Sequence, residues 1–271
     1  MLLKFHKILI KLCQIAMVVF FNTNAWGQEL ANTSLKNSNF SVGLAFINSD
    51  QVYINDKRVS RLMPYLSFES NNFRFSLREG ATYKAVTEED YSIELSVLPN
   101  FQPYKSSDSI HLDGMNRALT FDGLVSFSYS LKRGLDINQK IATELSNEFN
   151  GHMADLSLSQ FIPIFGIPCF LKGGAKWYDQ NRAQYFYGVY EDEERVGRLK
   201  HDINSFIMPY YSFNLFYSLN SNTTLFGNLN TNFLSSKVIN SPIVEKETSN
   251  SVVLGIGCNF QLGFCSVELD L

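Results

Sequence analysis

Segments in which apolar and polar side chains strictly alternate recur along this chain, and they constrain its fold more than any other feature. In residues 121–131, Phe127 and Tyr129 fall at odd positions, whereas Ser126 and Ser128 fall at even positions. Successive side chains of a β-strand point to opposite faces, so this pattern predicts strands with one apolar and one polar face. Similar alternation recurs as far as residues 225–233. The chain is therefore predicted to be all-β.

The length and the aromatic content of these segments favour a membrane barrel over a soluble β-sandwich. The predicted strands are about ten residues long and are separated by turn-rich breaks, as in transmembrane barrels. The chain holds 23 Phe and 13 Tyr, whereas a soluble sandwich core would draw mainly on Leu, Ile and Val. In lipid every backbone polar group needs a partner, so the sheet must close on itself. We predict a transmembrane antiparallel β-barrel, with a soluble sandwich or barrel as the alternative.

The turn signals divide the chain into about twelve predicted strands, with about ten as the alternative count. The predicted strands are residues 39–47, 60–69, 73–83, 91–101, 121–131, 135–145, 152–161, 169–178, 204–218, 223–234, 249–260 and 263–270. In this count the long connection 179–202 follows an even-numbered strand, which would place it on the periplasmic side, where barrels have short turns. We therefore expect one upstream element to be split, merged or missed, with residues 102–120 as a candidate place.

The N-terminus has the features of a secretory signal peptide. Three lysines precede an apolar run from Leu12 to Phe21, and small residues follow near position 27. The run is shorter than the roughly 20 residues that a membrane-spanning helix needs. We predict cleavage before Gln28, so that residues 1–27 form the signal peptide and residues 28–271 form a single barrel domain.

Charge, cysteines and histidines argue against several functional classes. The net charge is −3 and the leader would remove three lysines, so a nucleic-acid partner is not expected. Cys169, Cys258 and Cys265 lack the spacing of a zinc site or a disulfide framework. His152 and Asp155 fall on opposite faces of their strand, so they do not form part of a catalytic triad. We predict no catalytic residue, no cofactor and no metal.

Charged residues of both signs are predicted on the inward faces of the strands. The candidates are Arg74, Arg78, Glu94, Lys140, Glu144, Asp155, Lys172 and Lys176. A barrel of this size has a lumen narrower than that of the large porins, so these charges would pair across it and fill it. We expect the basic side chains to pair with inward carboxylates in a plugged barrel, and a narrow pore for small solutes is the alternative.

The long connection 179–202 is the predicted recognition loop. It carries Tyr185, Phe186, Tyr187 and Tyr190, followed by a run of charged residues. Aromatic side chains beside charges suit the rim of a binding interface. The alternative interpretation is that these aromatic residues extend a strand to the membrane interface and that the charges are solvated.

Several motifs of the chain resemble those of the MipA/OmpV family of outer-membrane proteins, also called MltA-interacting proteins. The most specific are residues 184–189, after a strand ending at residue 179, and residues 241–245, before a strand ending at Phe260. The chain departs from the family at Cys258, where an aromatic residue is usual, and in eleven further residues after Phe260.

The resemblance implies a location in the Gram-negative outer membrane and a function without enzymatic chemistry. It implies contact with outer-membrane lipid and with peptidoglycan-remodelling proteins, or a role in adhesion or small-solute passage. Since barrels host many functions, the fold does not choose between these roles. We expect a scaffold or interaction protein of the cell envelope, with a narrow diffusion channel as the alternative and a lipid-modifying enzyme as a distant one.

Overall fold

In the computed structural model, twelve antiparallel strands form a closed barrel in which each strand is hydrogen-bonded to its neighbours in sequence. Residues 38–55, 59–100, 104, 106, 109–131 and 134–262 are described. The strands are β1 (Ser38–Ser49), β2 (Val59–Glu69), β3 (Phe73–Ser76), β4 (Gly80–Thr87), β5 (Tyr91–Asn100), β6 (Thr120–Leu131), β7 (Leu135–Glu144), β8 (His152–Ile164), β9 (Ile167–Tyr178), β10 (Phe206–Ser218), β11 (Thr223–Phe233) and β12 (Thr248–Leu262). The ring closes between β1 and β12, where Ser41 Oγ donates to Asn259 Oδ1 at 2.7 Å. The predicted signal peptide lies outside the described residues.

The predicted closed antiparallel barrel of twelve strands is confirmed, although the residue ranges of some predicted strands differ from those in the structure. Residues 73–83, predicted as one strand, form two strands that pair with each other, with Ser76 opposite Gly80. The chain reverses at residues 77–79, and Gly80 has a φ of 72°, which suits glycine because it has no Cβ. Alternation runs through this turn, so periodicity alone did not reveal it. The predicted last strand, 263–270, lies outside the described residues.

Because residues 73–83 form two strands, the long connection after residue 178 follows an odd-numbered strand, like the other long connections. Apart from the tight turn 77–79, the connections after odd-numbered strands are long, and they lie at one end of the barrel. They are residues 50–58, 101–119, 145–151, 179–205 and 234–247. The turns after even-numbered strands are short, as on the periplasmic side of bacterial barrels. The additional strand boundary thus lies near residue 78, and the expectation that it lay in 102–120 was wrong.

The two faces of the barrel wall differ in chemistry, as the alternation predicts. Outward side chains are apolar and exposed, for example Val125 at 51% and Leu156 at 58%. Inward neighbours on the same strands are polar and buried, including Ser126 and Ser157. Lipid would cover the outer face, whereas water or polar partners suit the inner one.

In the described part of the chain, two α-helices and two 3₁₀ helices, Ile110–Leu112 and Glu191–Glu193, lie in the long connections at one end of the barrel. Helix α1 spans Gln180–Tyr187 and helix α2 spans Ser236–Ile239. Of the helices in the part of the chain that the structure describes, none is long and apolar enough to cross a membrane. The main buried apolar cluster is formed largely by these connections and not by the barrel wall.

Candidate functional site

Helix α1 lies in the connection 179–205, at the long-loop end of the barrel, and contributes four residues to the main buried apolar cluster. Asp179 caps its N-terminus by accepting a hydrogen bond from the Arg182 backbone N–H at 2.9 Å. Five of its eight residues are buried, including Tyr185, Phe186 and Tyr187. The segment is therefore a buried helix instead of an exposed loop.

The long connections pack around α1 in one apolar cluster, which we call the cap. The cap contains Tyr53, Tyr104, Leu112, Met115, Phe149, Tyr178, Ala183, Tyr185, Phe186, Tyr187, Val189, Ile203, Phe206, Met208, Leu234, Val238, Ile243 and Val244. Its members come from five different connections and from the strand ends beside them. The rings stack closely, with Phe149 and Tyr185 centroids 4.4 Å apart. A cluster of this kind holds the connections together across the barrel mouth.

A buried ion pair between Arg117 and Glu193 joins two connections of the cap. Arg117 Nη2 donates to Glu193 Oε2 at 2.9 Å, and the side chains are only 4% and 9% exposed. The guanidinium lies 5.2 to 5.4 Å from the ring centroids of Tyr104, Tyr185 and Tyr190. Burial by itself would raise the pKa of Glu193, but hydrogen bonds from Arg117 and from the Tyr190 N–H outweigh it and lower that pKa.

Two further contacts connect the cap to the barrel wall. Arg182 of α1 forms a buried ion pair with Asp122 at the start of β6. Glu144, at the end of β7, accepts hydrogen bonds from the backbone N–H groups of Glu148 and Asn150 at 3.2 and 3.1 Å. Because these groups are buried and paired, moving the cap away from the wall would leave charges without partners.

The tip of connection 179–205 lies against the connection between β5 and β6. Arg198 Nη1 donates to the His111 carbonyl at 2.7 Å, and Arg198 Nη2 donates to the Asp113 carbonyl at 2.9 Å. Around this contact Ile110 and Val196 are almost fully exposed. The cap thus has a firmly attached outer surface with a few apolar side chains on it.

The position of the predicted recognition residues requires a correction. Tyr185, Phe186 and Tyr187 are 7%, 1% and 4% exposed, so they form the core of the cap and cannot contact a partner in this state. The physical reason is that the connections fold onto one another, which turns the apolar side of α1 inward. Only Tyr190, at 37% exposed, has a substantial accessible surface among the four.

Of the predicted lumen charges, Arg74, Glu94 and Glu144 have polar partners, whereas Arg78 lies outside the strands. Arg74 and Glu94 form an ion pair at 3.4 Å, whereas Glu144 binds backbone N–H groups of the cap. Arg78 lies in the exposed turn 77–79 and not on a strand, which corrects its predicted inward position. The single strand predicted over residues 73–83 misplaces Arg78, because the chain turns at residues 77–79.

The remaining predicted lumen charges, Lys140, Asp155, Lys172 and Lys176, lie on the adjacent strands β7, β8 and β9. Asp155 is buried and accepts the Tyr210 hydroxyl at 3.0 Å from both carboxylate oxygens. The expected ion pairs between Asp155 and the lysines are absent from the contacts of the described residues, since the Tyr210 hydroxyl binds the carboxylate. Tyr210 was not predicted, because its role depends on contacts between strands.

Sequence reasoning also missed the cap ion pairs. The partners Arg117 and Glu193 are 76 residues apart, and Arg182 and Asp122 are 60 residues apart. The available signal was the position of Arg182, two residues before the family-like motif 184–189. In the described part of the chain, no group of three or more His, Cys, Asp or Glu residues could hold a metal ion.

Comparison with known proteins gives consistent matches over most of the chain. A family model described as MltA-interacting protein MipA matches residues 42–260. The MltA-interacting protein of Escherichia coli K12 is 25% identical over 206 residues, which cover 73% of this chain and 81% of that protein. The "Putative outer membrane protein YiaT" of the same strain is 22% identical over 226 residues, 82% of this chain and 92% of that protein.

Solved structures with a similar arrangement include two hydrocarbon transport proteins. The CymD monoaromatic hydrocarbon channel aligns with a TM-score of 0.42 and 11% identity, over 90% of this chain and 94% of that one. The Pseudomonas putida toluene transporter TodX aligns with a TM-score of 0.38 and 10% identity, over 87% of this chain and 94% of that one.

Proposed function

This chain belongs to the MltA-interacting protein family, as the match over residues 42–260 shows. We propose that it is an interaction protein of the cell envelope and that the lumen of its barrel is closed to solutes. It is a protein of the Gram-negative outer membrane. The cap is the observation that carries the proposal, since a packed, ion-paired cluster across the long-loop end opposes free passage of solutes. A protein of this kind acts through the surfaces at its two ends.

The partner class that we favour is a peptidoglycan-remodelling protein, as the name of the 25%-identical relative suggests. Such partners act in the periplasm, and the short-turn end of a bacterial barrel faces that compartment. The contact surface is therefore expected at the short turns.

At the short-turn end, the β8–β9 hairpin is the best candidate contact. Its two-residue turn places Phe165 at 100% exposed, whereas the turn 88–90 consists of acidic residues. Pro163 and Pro168 lie opposite each other next to the turn. Proline has no N–H to offer, so a partner would bind the apolar side chains of the hairpin more readily than its backbone edges.

Binding of the purified barrel to a lytic transglycosylase of the MltA type tests this proposal. Replacing Phe165 with Ser should weaken binding at least tenfold, about 1.4 kcal/mol, because an exposed aromatic anchor is lost. Val196→Ser, a similar truncation at the long-loop end, is the matched control and should leave binding unchanged. Equal binding by wild type and Phe165→Ser would count against the hairpin, and no binding by wild type would count against this partner class.

The narrow channel is the second candidate, and the inner wall is the observation that favours it. Below the cap, Lys140, Lys172 and Asn138 are only half-buried and line a polar surface. Conductance of purified protein in planar bilayers separates the two functions. A closed barrel gives no stepwise currents, whereas a channel gives steps whose ion preference depends on the lysines.

An enzymatic function has no support among the described histidines. His152 is exposed and its Nδ1 contacts Thr143 Oγ1. His201 exchanges backbone hydrogen bonds with Val189, which places it in a structural bridge of the cap. We therefore propose binding and not catalysis as the biochemical activity.

A further inference from the structure

Three lysines lie close together on one side of the inner wall. Lys140 of β7 is opposite Asp155 of β8, and Asp155 is opposite Lys176 of β9. Lys172 is four residues before Lys176 on β9, so both side chains point to the same face of the strand. Between them the wall carries Ser157 and Gly174, and all three lysines are only partly buried.

Several basic side chains elsewhere in the barrel and the cap have acidic partners. Arg74 pairs with Glu94 at 3.4 Å, Lys84 pairs with Glu69 at 2.8 Å, and Arg182 pairs with Asp122. By contrast, Lys140, Lys172 and Lys176 form no ion pair within the described part of the chain.

The nearest carboxylate to these lysines is Asp155, and it is already bound. The Tyr210 hydroxyl lies 3.0 Å from both of its oxygens. The same ring lies 4.8 Å from Lys176 Nζ and 5.8 Å from Lys172 Nζ, measured to its centroid. Gly174 is directly opposite Tyr210, and a Cβ at Gly174 would lie 2.6 Å from the Leu156 carbonyl oxygen and from Ser157 Cβ, so β8 and β9 approach too closely here for a larger residue. Tyr210 therefore holds Asp155 and separates the two lysines.

Two further carboxylates lie within two strands of these lysines. Asp136 of β7 is opposite Ser159, which is opposite Lys172, and Glu94 of β5 is opposite Ser126, which is opposite Lys140. Glu94 pairs with Arg74, and Asp155 accepts the Tyr210 hydroxyl, so neither carboxylate forms an ion pair with a lysine of this group. The three ammonium groups lie in a confined, polar space, where an anion is held more strongly than at an open surface.

We propose that this wall is a binding site for a small oxyanion of the phosphate type, bound by Lys140, Lys172 and Lys176. Lysine is a point-charge donor that suits phosphate oxygens, and the hydroxyls of Ser157 and Ser159 lie at neighbouring register positions. The site faces the lumen, so its occupancy does not depend on a protein partner at either end of the barrel.

Binding of inorganic phosphate to the full folded chain in a phosphate-free detergent tests the proposal. The measurement is ³¹P line broadening as phosphate is titrated, with folding monitored by heat-modifiable mobility on gels. Wild type should broaden the line saturably, and sulfate should displace the phosphate. Lys172→Gln with Lys176→Gln should weaken binding at least tenfold. Lys84→Gln, which removes a lysine paired with Glu69, is the matched control and should bind like wild type.

The Asp155→Asn variant should change phosphate affinity in the opposite direction at the same site. It removes the carboxylate that competes with the ligand, so phosphate should bind more tightly than to wild type. Tyr210→Phe should weaken binding, because Asp155 would then be free to pair with Lys176.

Absence of saturable broadening in wild type would overturn the proposal. It would also be overturned if Lys84→Gln weakened binding as much as the double variant, because the effect would then reflect overall charge. If the double variant does not fold, the Asp155→Asn and Tyr210→Phe results decide, and binding unchanged in both would refute the site.

Discussion

Removing the charge of Arg117 should open the cap while the barrel remains folded. The Arg117→Met variant keeps an apolar side chain among the rings of Tyr104 and Tyr185 but leaves Glu193 buried without its cation. Both partners of the pair are at least nine-tenths buried. Breaking such a pair from one side costs about 3–5 kcal/mol. The barrel strands do not depend on this contact, so the loss should fall on the packing of the connections.

The increase in the open population of the cap follows from the free energy lost with the ion pair. If about 3 kcal/mol is lost from cap closure, the fraction of open cap rises roughly 150-fold, since 1.36 kcal/mol corresponds to tenfold. Limited trypsin digestion reports this fraction through cleavage after Arg198, which is buried in the closed cap, whereas Arg195 and Lys200 are exposed in either state. When opening and closing are fast, the cleavage rate is proportional to the open population.

Two controls separate the ion pair from a general effect of mutation. Arg74→Gln breaks a more exposed pair in the wall, where about 0–1 kcal/mol is at stake, and should leave cleavage of the connection unchanged. In a double-mutant cycle, adding Glu193→Gln to Arg117→Met should cost much less than the sum of the single effects. Wild-type trypsin resistance in Arg117→Met, or additive effects in the cycle, would refute the assignment of the pair as the latch of the cap.

Three further predictions test other parts of the account. The pKa of Glu193 is lowered in the folded cap. The contribution of Glu193 to cap stability is therefore present above its ordinary pKa of 4.5 and is lost as pH falls through the folded pKa. Pepsin digestion of the cap should accelerate at acid pH in wild type but not in Glu193→Gln. Replacing Phe127 or Leu215 with Arg on the lipid-facing side should cost about 2–4 kcal/mol near the bilayer midplane and lower the folding yield, so wild-type yields would contradict the assigned face. The mature protein should begin at or near Gln28, and N-terminal sequencing of outer-membrane material that retained residues 1–20 would disprove the leader.

The barrel could be predicted because its signal is local. In β6, period-2 alternation alone assigns Val125 and Tyr129 to the outer face and Ser126 to the inner face, and the structure agrees. The same signal missed the turn at residues 77–79, because apolar residues stand at odd positions on both sides of Glu79, at Leu77 and at Ala81. Register and turns need contacts with neighbouring strands, and a single segment does not contain them.

The cap could not be predicted in the same way. Tyr185, Phe186 and Tyr187 look like an exposed aromatic run when the connection is considered by itself. Their burial depends on residues from other connections, such as Tyr53 and Phe149, which are distant in sequence. Likewise, nothing local to Lys176 indicates that Tyr210 would bind the carboxylate expected to pair with that lysine.

Planar-bilayer recording shows directly whether the cap closes the barrel at its long-loop end. Purified wild-type protein should insert without stepwise conductance, whereas Arg117→Met should produce discrete steps, because the unpaired charge of Glu193 releases the mouth while the wall stays intact. Stepwise conductance in wild type equal to that of Arg117→Met would contradict closure by the cap and would favour the channel as the function.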